Sequence, residues 1–332
     1  MHEAQFYNKI SSTHVQCMLC PHTCELKPGE TGVCKARKNI DGKLINLGYG
    51  QFSAAASDPI EKKPLYHFHP GTEVLSIGGY GCNFRCNFCQ NHSISQAFVE
   101  QTAKSHTVQP KQLVEEALNQ QLKGGIAFTY NEPIINIEFM IETLKLAKYH
   151  NLPTSVVSNG YINPRPLAEL IEHTDAFNID LKAFTNHFYQ KYTGGSLAPV
   201  LNAIQQISDS NSHLEITHLL ITDTNDSIAD FEAMCKWIAL HAGKNTPLHV
   251  SRYFPRYKYA HDATNITKIH NFVAKANETL NYVYAGNTGE EANTVCPNCD
   301  KIIIERNGYS VKTLGLNGKK CLNCNTEIPL IL

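Results

Sequence analysis

Residues 74–90 read VLSIGGYGCNFRCNFCQ, and this stretch decides the fold and the chemistry that we expect. It begins with an apolar run typical of a buried β-strand and continues into a loop that holds Cys82, Cys86 and Cys89. Strand and helix patterns alternate from residue 74 onward, so this loop follows the first strand of a repeated unit. In parallel sheets built from such units, ligands bind beyond the carboxyl ends of the strands, where these cysteines are expected to lie.

The strand predictions share a short β-branched or aromatic run between turn residues. They are VLSIGG (74–79), IAFTY (126–130), PTSVVS (153–158), AFNIDL (176–181), HLEITHLLI (213–221) and PLHVSRYF (247–254). Amphipathic helical stripes, such as Leu113, Val114 and Ala117, separate them. Six strand–helix units predict an α/β fold with a parallel sheet, either a partial (βα)6 TIM-type barrel or a doubly wound sheet.

The cysteines divide the chain. All twelve except Cys235, which shares an apolar helical face and is expected to be a core thiol, fall in three tight groups. We call these the N-terminal cysteine group (Cys17, Cys20, Cys24 and Cys34), the central trio (Cys82, Cys86 and Cys89) and the C-terminal cysteine group (Cys296, Cys299, Cys321 and Cys324). Such short gaps favour metal sites over disulfides. We expect an irregular Cys-rich extension (1–70), a sheet domain (71–285) and a metal-binding tail (286–332).

The central trio offers three thiolate ligands, which suit zinc or an iron–sulfur cluster. A structural zinc site is closed by four ligands, and only His92 lies close enough along the chain to suggest a fourth. A 4Fe–4S cluster with three protein thiolates instead leaves one iron open to a substrate or cofactor. Both interpretations remain open at this point: a reactive cluster, or a zinc site completed by His92 or a distant residue.

The two flanking groups have four cysteines each. Two CxxC pairs separated by 21 residues predict a zinc-ribbon-like tail for the C-terminal group, with a single iron or a cluster as the alternative. The spacing of the N-terminal group does not decide between zinc and a second 4Fe–4S cluster, and His22 could replace one ligand.

Polar residues follow the later strands. The amide of Asn159 can donate to and accept from a ribose, although the Ser-Asn-Gly sequence also suits a simple turn. Asp180 and Lys182 share one face of their strand, where a charged pair is costly unless it binds a ligand or pairs internally. His249 and His218 are further candidates, but a lone strand histidine is more often a core residue.

The loop from Cys82 to Cys89, with Phe88 directly before the last cysteine and a strand before the loop, resembles the radical S-adenosylmethionine (radical SAM) superfamily. This resemblance implies that the central trio binds a 4Fe–4S cluster whose open iron is chelated by the amino and carboxylate groups of SAM. It further implies reductive cleavage of SAM to a 5′-deoxyadenosyl radical, which abstracts hydrogen from a substrate, and a cofactor-binding position for Phe88.

Further segments narrow the resemblance. DPIEKKPLYHFHPG (58–71), FTYNEP (128–133), SNGYI (158–162), NIDLK (178–182) and HVSRYFPRY (249–257) resemble the pyruvate formate-lyase activating enzyme-like branch. CMLCPHTCELKPGETGVCKARKN (17–39) and VCPNCDKIIIERNGY (295–309) resemble the AmmeMemoRadiSam-system enzymes, whose genes accompany the AMMECR1 and Memo families. The implied partners are AMMECR1-like and Memo-like proteins, with reduced flavodoxin or ferredoxin as electron donor.

The resemblance also implies roles for single residues. In the superfamily, a Gly-Gly-Glu stretch after strand two contacts the amino group of SAM. Here Tyr130 and Asn131 replace the glycines and only the acid, Glu132, is kept. Glu132 could equally be an acid that complements a helix start beside Pro133. The other implied SAM contacts are Asn159, Asp180 and Lys182, with His249 in the cavity.

The composition narrows the function classes. The 332 residues carry a formal net charge of −1, which argues against binding to nucleic acid or to a membrane surface. The first residues resemble no secretory signal and no apolar run approaches the roughly 20 residues of a membrane span, so we expect a cytoplasmic protein. The favoured function is a radical SAM enzyme with an unidentified substrate. The alternatives are an activase of a glycyl-radical enzyme and a non-catalytic zinc-binding module.

Overall fold

The computed structural model describes residues 1–102 and 107–332. Before the central sheet, the chain forms two three-stranded antiparallel sheets, ordered β2-β3-β4 and β1-β6-β5. Their strands are β1 (His2–Glu3), β2 (Tyr7–Lys9), β3 (Val15–Cys17), β4 (Glu25–Leu26), β5 (Arg37–Ile40) and β6 (Lys43–Asn46). The expectation of an irregular extension is therefore wrong, because strands of two to four residues are too short to show an alternating pattern.

The central sheet has eight strands and runs in the order β14-β13-β12-β11-β10-β9-β8-β7. They are β7 (Ala54–Pro59), β8 (Glu73–Gly78), β9 (Ile126–Phe128), β10 (Thr154–Ser158), β11 (Ala176–Asp180), β12 (His213–Leu220), β13 (Leu248–Arg252) and β14 (Val283–Gly286). β8 to β14 pair in parallel, whereas β7 is antiparallel to β8. The α/β fold and all six predicted strands are confirmed. β7 and β14 form opposite edges, and this open parallel sheet fits a partial TIM-type barrel.

Helices connect these strands. They are α1 (His92–Ser95), α2 (Val99–Thr102), α3 (Pro110–Asn119), α4 (Ile137–Tyr149), α5 (Pro164–Ile171), α6 (Asn186–Phe188), α7 (Leu197–Ser208), α8 (Ile228–His241) and α9 (Ile266–Asn277). The predicted stripe Leu113, Val114 and Ala117 is buried on α3, and Cys235 is a buried core thiol on α8. Within the described ranges, none of these helices has the length and apolarity needed to cross a bilayer.

The segment 60–69, which we call the plug segment, lies against the face of the central sheet that is opposite α8. Asn178 Nδ2 donates to the Pro64 carbonyl at 2.7 Å, and the His67 amide donates to Glu215 Oε1 at 2.7 Å. His218, three residues after Glu215 on β12, instead contacts Phe231 of α8. Because side chains alternate along a strand, the plug segment and α8 cover opposite faces of the sheet.

The C-terminal tail is hydrogen-bonded to the plug segment. Its strands are β15 (Thr294–Val295), β16 (Ile302–Asn307), β17 (Ser310–Thr313), β18 (Leu316–Asn317) and β19 (Lys320–Cys321). The Ile331 amide donates to the His67 carbonyl at 2.8 Å, and Arg306 Nη2 donates to the Tyr66 carbonyl at 2.6 Å. The predicted divisions at residues 70 and 285 stay predictions. The first strand of the central sheet, which begins at Ala54, lies before the division at residue 70.

Candidate functional site

The central trio lies in the loop that follows β8, as the sequence predicts. Cys86 is buried, and Cys82 and Cys89 are half-buried. The loop begins with Gly81, which has a φ of +85°, and an ideal Cβ on it would lie 2.5 Å from the Cys34 carbonyl oxygen. Only glycine fits there without displacing the backbone. The trio is thus fixed at the carboxyl end of the first parallel strand.

Asn159, in the loop after β10, lies beside the trio. Its Nδ2 donates to Asn83 Oδ1 at 2.8 Å and is 3.8 Å from Cys82 Sγ, while its Oδ1 accepts from the Tyr161 amide at 2.8 Å. The Phe84 amide donates to the same sulfur at 3.3 Å. Two N–H groups therefore face Cys82. No sequence pattern marks Asn83, the buried residue that orients Asn159, as part of the site.

Glu132 is buried after β9 and is connected to the same loop. Its Oε1 accepts from Ser158 Oγ at 2.7 Å and from the Ile134 amide at 3.3 Å, and its Oε2 accepts from the Asn159 amide at 2.7 Å. Burial raises the pKa of Glu132 to about 7, although these hydrogen bonds oppose the shift. A carboxylate has about four acceptor positions, so one remains on Oε2.

Asn131, which replaces a glycine of the superfamily pattern, bonds the loop of the central trio through its side chain. Its Oδ1 accepts from the Gly79 amide at 2.9 Å, and its Nδ2 donates to the Gly81 carbonyl at 2.9 Å. Tyr130 adopts a φ of +73° and its hydroxyl donates to Asp58. Asn131 thus supports the loop of the central trio through side-chain contacts, a role that the sequence does not reveal.

Asp180 and Lys182 lie at the end of β11. Lys182 Nζ is 2.8 Å from Asp180 Oδ2, and the Lys182 amide donates to the Tyr189 hydroxyl at 3.1 Å. Burial raises the pKa of the Cys86 thiol to about 12, and the Lys182 charge is the leading influence that lowers it. Burial alone would lower the pKa of Lys182, but the charges of Asp180 and Cys86 raise it. The charges of Lys182 and Asp180 therefore act on the Cys86 thiol.

His249 is paired with Glu215 and packed between two tyrosines. Its Nε2 is 2.6 Å from Glu215 Oε2, and its ring packs against Tyr66 and Tyr284. Cofactor binding by His249 stays a prediction, with Glu215 as the observed partner. His218 faces α8, where its Nδ1 is 3.0 Å from the Leu181 carbonyl oxygen, so it is a core residue.

Phe88 is a buried aromatic residue of the same loop. Its ring centroid is 5.9 Å from that of Phe188 and 6.4 Å from that of Tyr259. This packing fixes the chain between Cys86 and Cys89, and a direct contact with a cofactor stays a prediction. His92 stacks on Tyr257 at 4.6 Å.

The C-terminal cysteine group has the geometry of a single-ion site. Cys296 Sγ is 3.4 Å from Cys324 Sγ, and Cys299 Sγ is 3.7 Å from Cys321 Sγ. Among residues 1–102 and 107–332, this is the only set of three or more His, Cys, Asp or Glu residues whose ligand atoms all lie within 4.8 Å of one another. The central trio, with or without His92, therefore does not form a compact single-ion site.

Comparisons with known proteins agree with this geometry. Residues 76–238 match the family model of the radical SAM superfamily. The whole chain is similar to an uncharacterised protein, MJ0808, of Methanocaldococcus jannaschii, with 39% identity over 342 residues and full coverage of both proteins. A pyruvate formate-lyase-activating enzyme of Listeria monocytogenes is 25% identical over 164 residues, which cover 48% of this chain and 66% of that enzyme.

Solved structures show the same fold at low sequence identity. Streptococcus suis SuiB bound to S-adenosylmethionine matches with 10% identity and a TM-score of 0.51, covering 63% of this chain and 48% of SuiB. A radical SAM methyltransferase from Sphaerobacter thermophilus matches with 12% identity and a TM-score of 0.50, covering 66% of this chain and 67% of that protein. The chain is an enzyme of the radical SAM superfamily, and part of it is similar to pyruvate formate-lyase-activating enzymes.

Proposed function

We propose that this enzyme cleaves SAM reductively in order to abstract hydrogen from a substrate, and that it acts together with AMMECR1-like and Memo-like proteins. The observation that carries the proposal is the convergence of Cys82, Glu132, Asn159 and the Asp180–Lys182 pair beyond the ends of neighbouring parallel strands. Ligands of open parallel sheets bind at this edge.

The central trio would hold the 4Fe–4S cluster. Three thiolates leave one iron without a protein ligand, and their spacing is wider than a single ion requires. The N–H groups of Phe84 and Asn159 that face Cys82 Sγ suit a charged thiolate. When bound, the reduced cluster and SAM supply the cleavage of a carbon–sulfur bond and the hydrogen abstraction that follows.

The polar residues around the trio would bind SAM. The remaining acceptor position on Glu132 Oε2 suits the amino group, and Lys182 offers a cation to the carboxylate. Asn159 and Asp180 offer hydrogen-bonding groups to the ribose. Phe88 packs against Phe188 in the loop of the trio, and His249 pairs with Glu215, which also accepts from the plug segment. We therefore propose that Phe88 positions the loop and that His249 orients Glu215.

The flanking cysteine groups favour the AMMECR1-like and Memo-like partners over activation of a glycyl-radical enzyme. Similarity to MJ0808 extends over the whole chain, including the segments that hold both groups, whereas similarity to the Listeria activating enzyme covers 48% of it. We propose zinc for the C-terminal group, because its sulfur spacing suits a tetrahedral ion. Reduced flavodoxin or ferredoxin would deliver the electron.

Partner choice is tested by adding purified proteins to the reduced enzyme and SAM. We expect an AMMECR1-like or Memo-like protein to bind and to raise the formation of 5′-deoxyadenosine. The Cys82→Ala variant should still bind that partner but form no product, which separates binding from chemistry. A glycine-centred radical on an added glycyl-radical enzyme, seen by electron paramagnetic resonance, would instead support the activase alternative.

A further inference from the structure

The N-terminal cysteine group surrounds one cavity. All four cysteines line this cavity, together with apolar residues such as Leu19 and Ile135. Cys17 and Cys34 are buried, and Cys20 and Cys24 are half-buried. Thiols of four cysteines around one cavity can coordinate a common metal centre.

The spacing of these sulfurs is too wide for one metal ion. Four thiolates around zinc, each with a bond of about 2.3 Å, hold their sulfurs about 3.8 Å apart. The C-terminal cysteine group has this spacing, with sulfur pairs at 3.4 and 3.7 Å. Among the residues that the structure describes, no three of the N-terminal thiols lie within 4.8 Å of one another. The same chain thus contains a narrow and a wide four-cysteine site.

Arg37 indicates the charge of the occupant. It lines the cavity, is 1% exposed, and pairs with the buried Glu138 at 2.8 Å. Its Nε is buried and has no hydrogen-bond acceptor among the described residues. Because buried N–H groups are almost always bonded, an occupant with anionic sulfur would supply the acceptor that this N–H lacks.

We propose that the N-terminal cysteine group binds a second 4Fe–4S cluster, coordinated by Cys17, Cys20, Cys24 and Cys34. This site goes beyond SAM cleavage, because a cluster with four protein thiolates has no open iron for SAM. It would lie beside the central trio. The Cys34 carbonyl packs against Gly81, and His22 Nε2 is 2.8 Å from the Asn83 carbonyl oxygen in the loop of the trio.

The test measures iron, sulfide and zinc in the full chain after anaerobic reconstitution. The variant Cys82→Ala/Cys86→Ala/Cys89→Ala removes the ligands of the first cluster. We expect it to keep about four iron atoms and about four sulfides per chain. Adding Cys20→Ser/Cys24→Ser should remove this iron, whereas adding Cys235→Ser should not. One zinc retained in the C-terminal group reports that each variant is folded.

A central-trio variant that retains zinc in both flanking sites and binds no iron would overturn the proposal. If that variant does not fold, the Cys20→Ser/Cys24→Ser change is made in the wild-type chain. There it should lower the iron content by about half, with 5′-deoxyadenosine formation measured separately. Unchanged iron in that variant would also overturn the proposal. Because the readout is metal content, its failure is distinguishable from failure of the proposed SAM cleavage.

Discussion

The buried carboxylate of Glu132 bonds both a helical turn of the fold and the loop that holds Asn159. It caps the short helical turn at Pro133–Asn136 and accepts from both Ser158 and the Asn159 amide. The interpretation as a helix-start acid and the interpretation as a cofactor ligand are therefore compatible. The two uses employ different acceptor positions of the same group.

The Glu132→Gln variant should weaken SAM binding without loss of iron. The amide removes the charge that would attract the amino group of SAM, and charged hydrogen bonds contribute roughly 1.5–3 kcal/mol, so the dissociation constant should rise about tenfold or more. Anaerobic equilibrium binding with parallel iron analysis measures this. Glu142→Gln, at a half-buried position on α4, is the matched control. Equal SAM affinity in both variants would refute the assigned contact.

The buried His218 should make stability sensitive to acid. Burial lowers its pKa from 6.5 to about 4, although the hydrogen bond to Leu181 opposes the shift. As pH falls below 6.5, the unfolded chain takes up the proton while the folded chain does not. Stability is therefore lost as the pH falls from 6.5 to about 4, by roughly 1.4 kcal/mol per pH unit.

The His218→Phe variant removes this titration and keeps an aromatic ring against Phe231. We expect the urea midpoint of the variant to fall less than that of the wild type between about pH 6.5 and about pH 5. His187→Gln changes an exposed histidine and should follow the wild type. A pH dependence of His218→Phe that matches the wild type would show that this histidine is not held neutral.

At the scale of elements, the strands that the sequence predicts are those buried by helices. Their β-branched runs are needed for packing and are therefore visible in the sequence. β7 reads AAASDP and exposes its first four residues, so no apolar pattern marks it. β14 is only four residues long. Edge strands are defined by pairing with a neighbour rather than by composition, which explains why both escape prediction.

Gly125 fixes the start of β9, which leads to Glu132. It has a φ of +70°, and an ideal Cβ would lie 1.8 Å from the Pro153 carbonyl oxygen, the acceptor of the Ile126 amide. Gly125→Ala should therefore lower the unfolding free energy by more than the roughly 1–2 kcal/mol of left-handed strain. Gly243→Ala, with a φ of +94° and nothing within 4 Å, isolates that strain. Equal losses in urea unfolding would contradict the clash.

At the scale of the molecule, sequence patterns predict the residues of the site better than they predict the distant segments that pack around it. The central trio, Glu132 and Asn159 follow parallel strands, and the strand order brings such loops together. The bond from the His67 amide to Glu215 spans 148 positions and depends on the plug segment entering the sheet face. Contacts of that separation leave no local pattern, so the surroundings of His249 were not predictable.

The tail and the plug segment are joined by a buried ion pair. Arg306 Nε is 3.6 Å from Glu61 Oε1, and both side chains are 1% exposed. Arg306→Met should lower the unfolding free energy by about 3–5 kcal/mol, because Glu61 would be left buried without a counter-charge. Urea unfolding measures the loss. Arg306→Met/Glu61→Gln should recover part of it, and exposed Arg165→Met should have little effect. No recovery in the double variant would contradict the pairing.

The central claim is that Cys82, Cys86 and Cys89 bind the cluster that cleaves SAM. The most direct measurement is 5′-deoxyadenosine formation by the anaerobically reconstituted, dithionite-reduced enzyme. We predict that the wild type and Cys235→Ala form this product and that alanine at any position of the trio abolishes it. Formation at the wild-type rate by Cys82→Ala, or a wild-type protein that binds only zinc, would contradict the account.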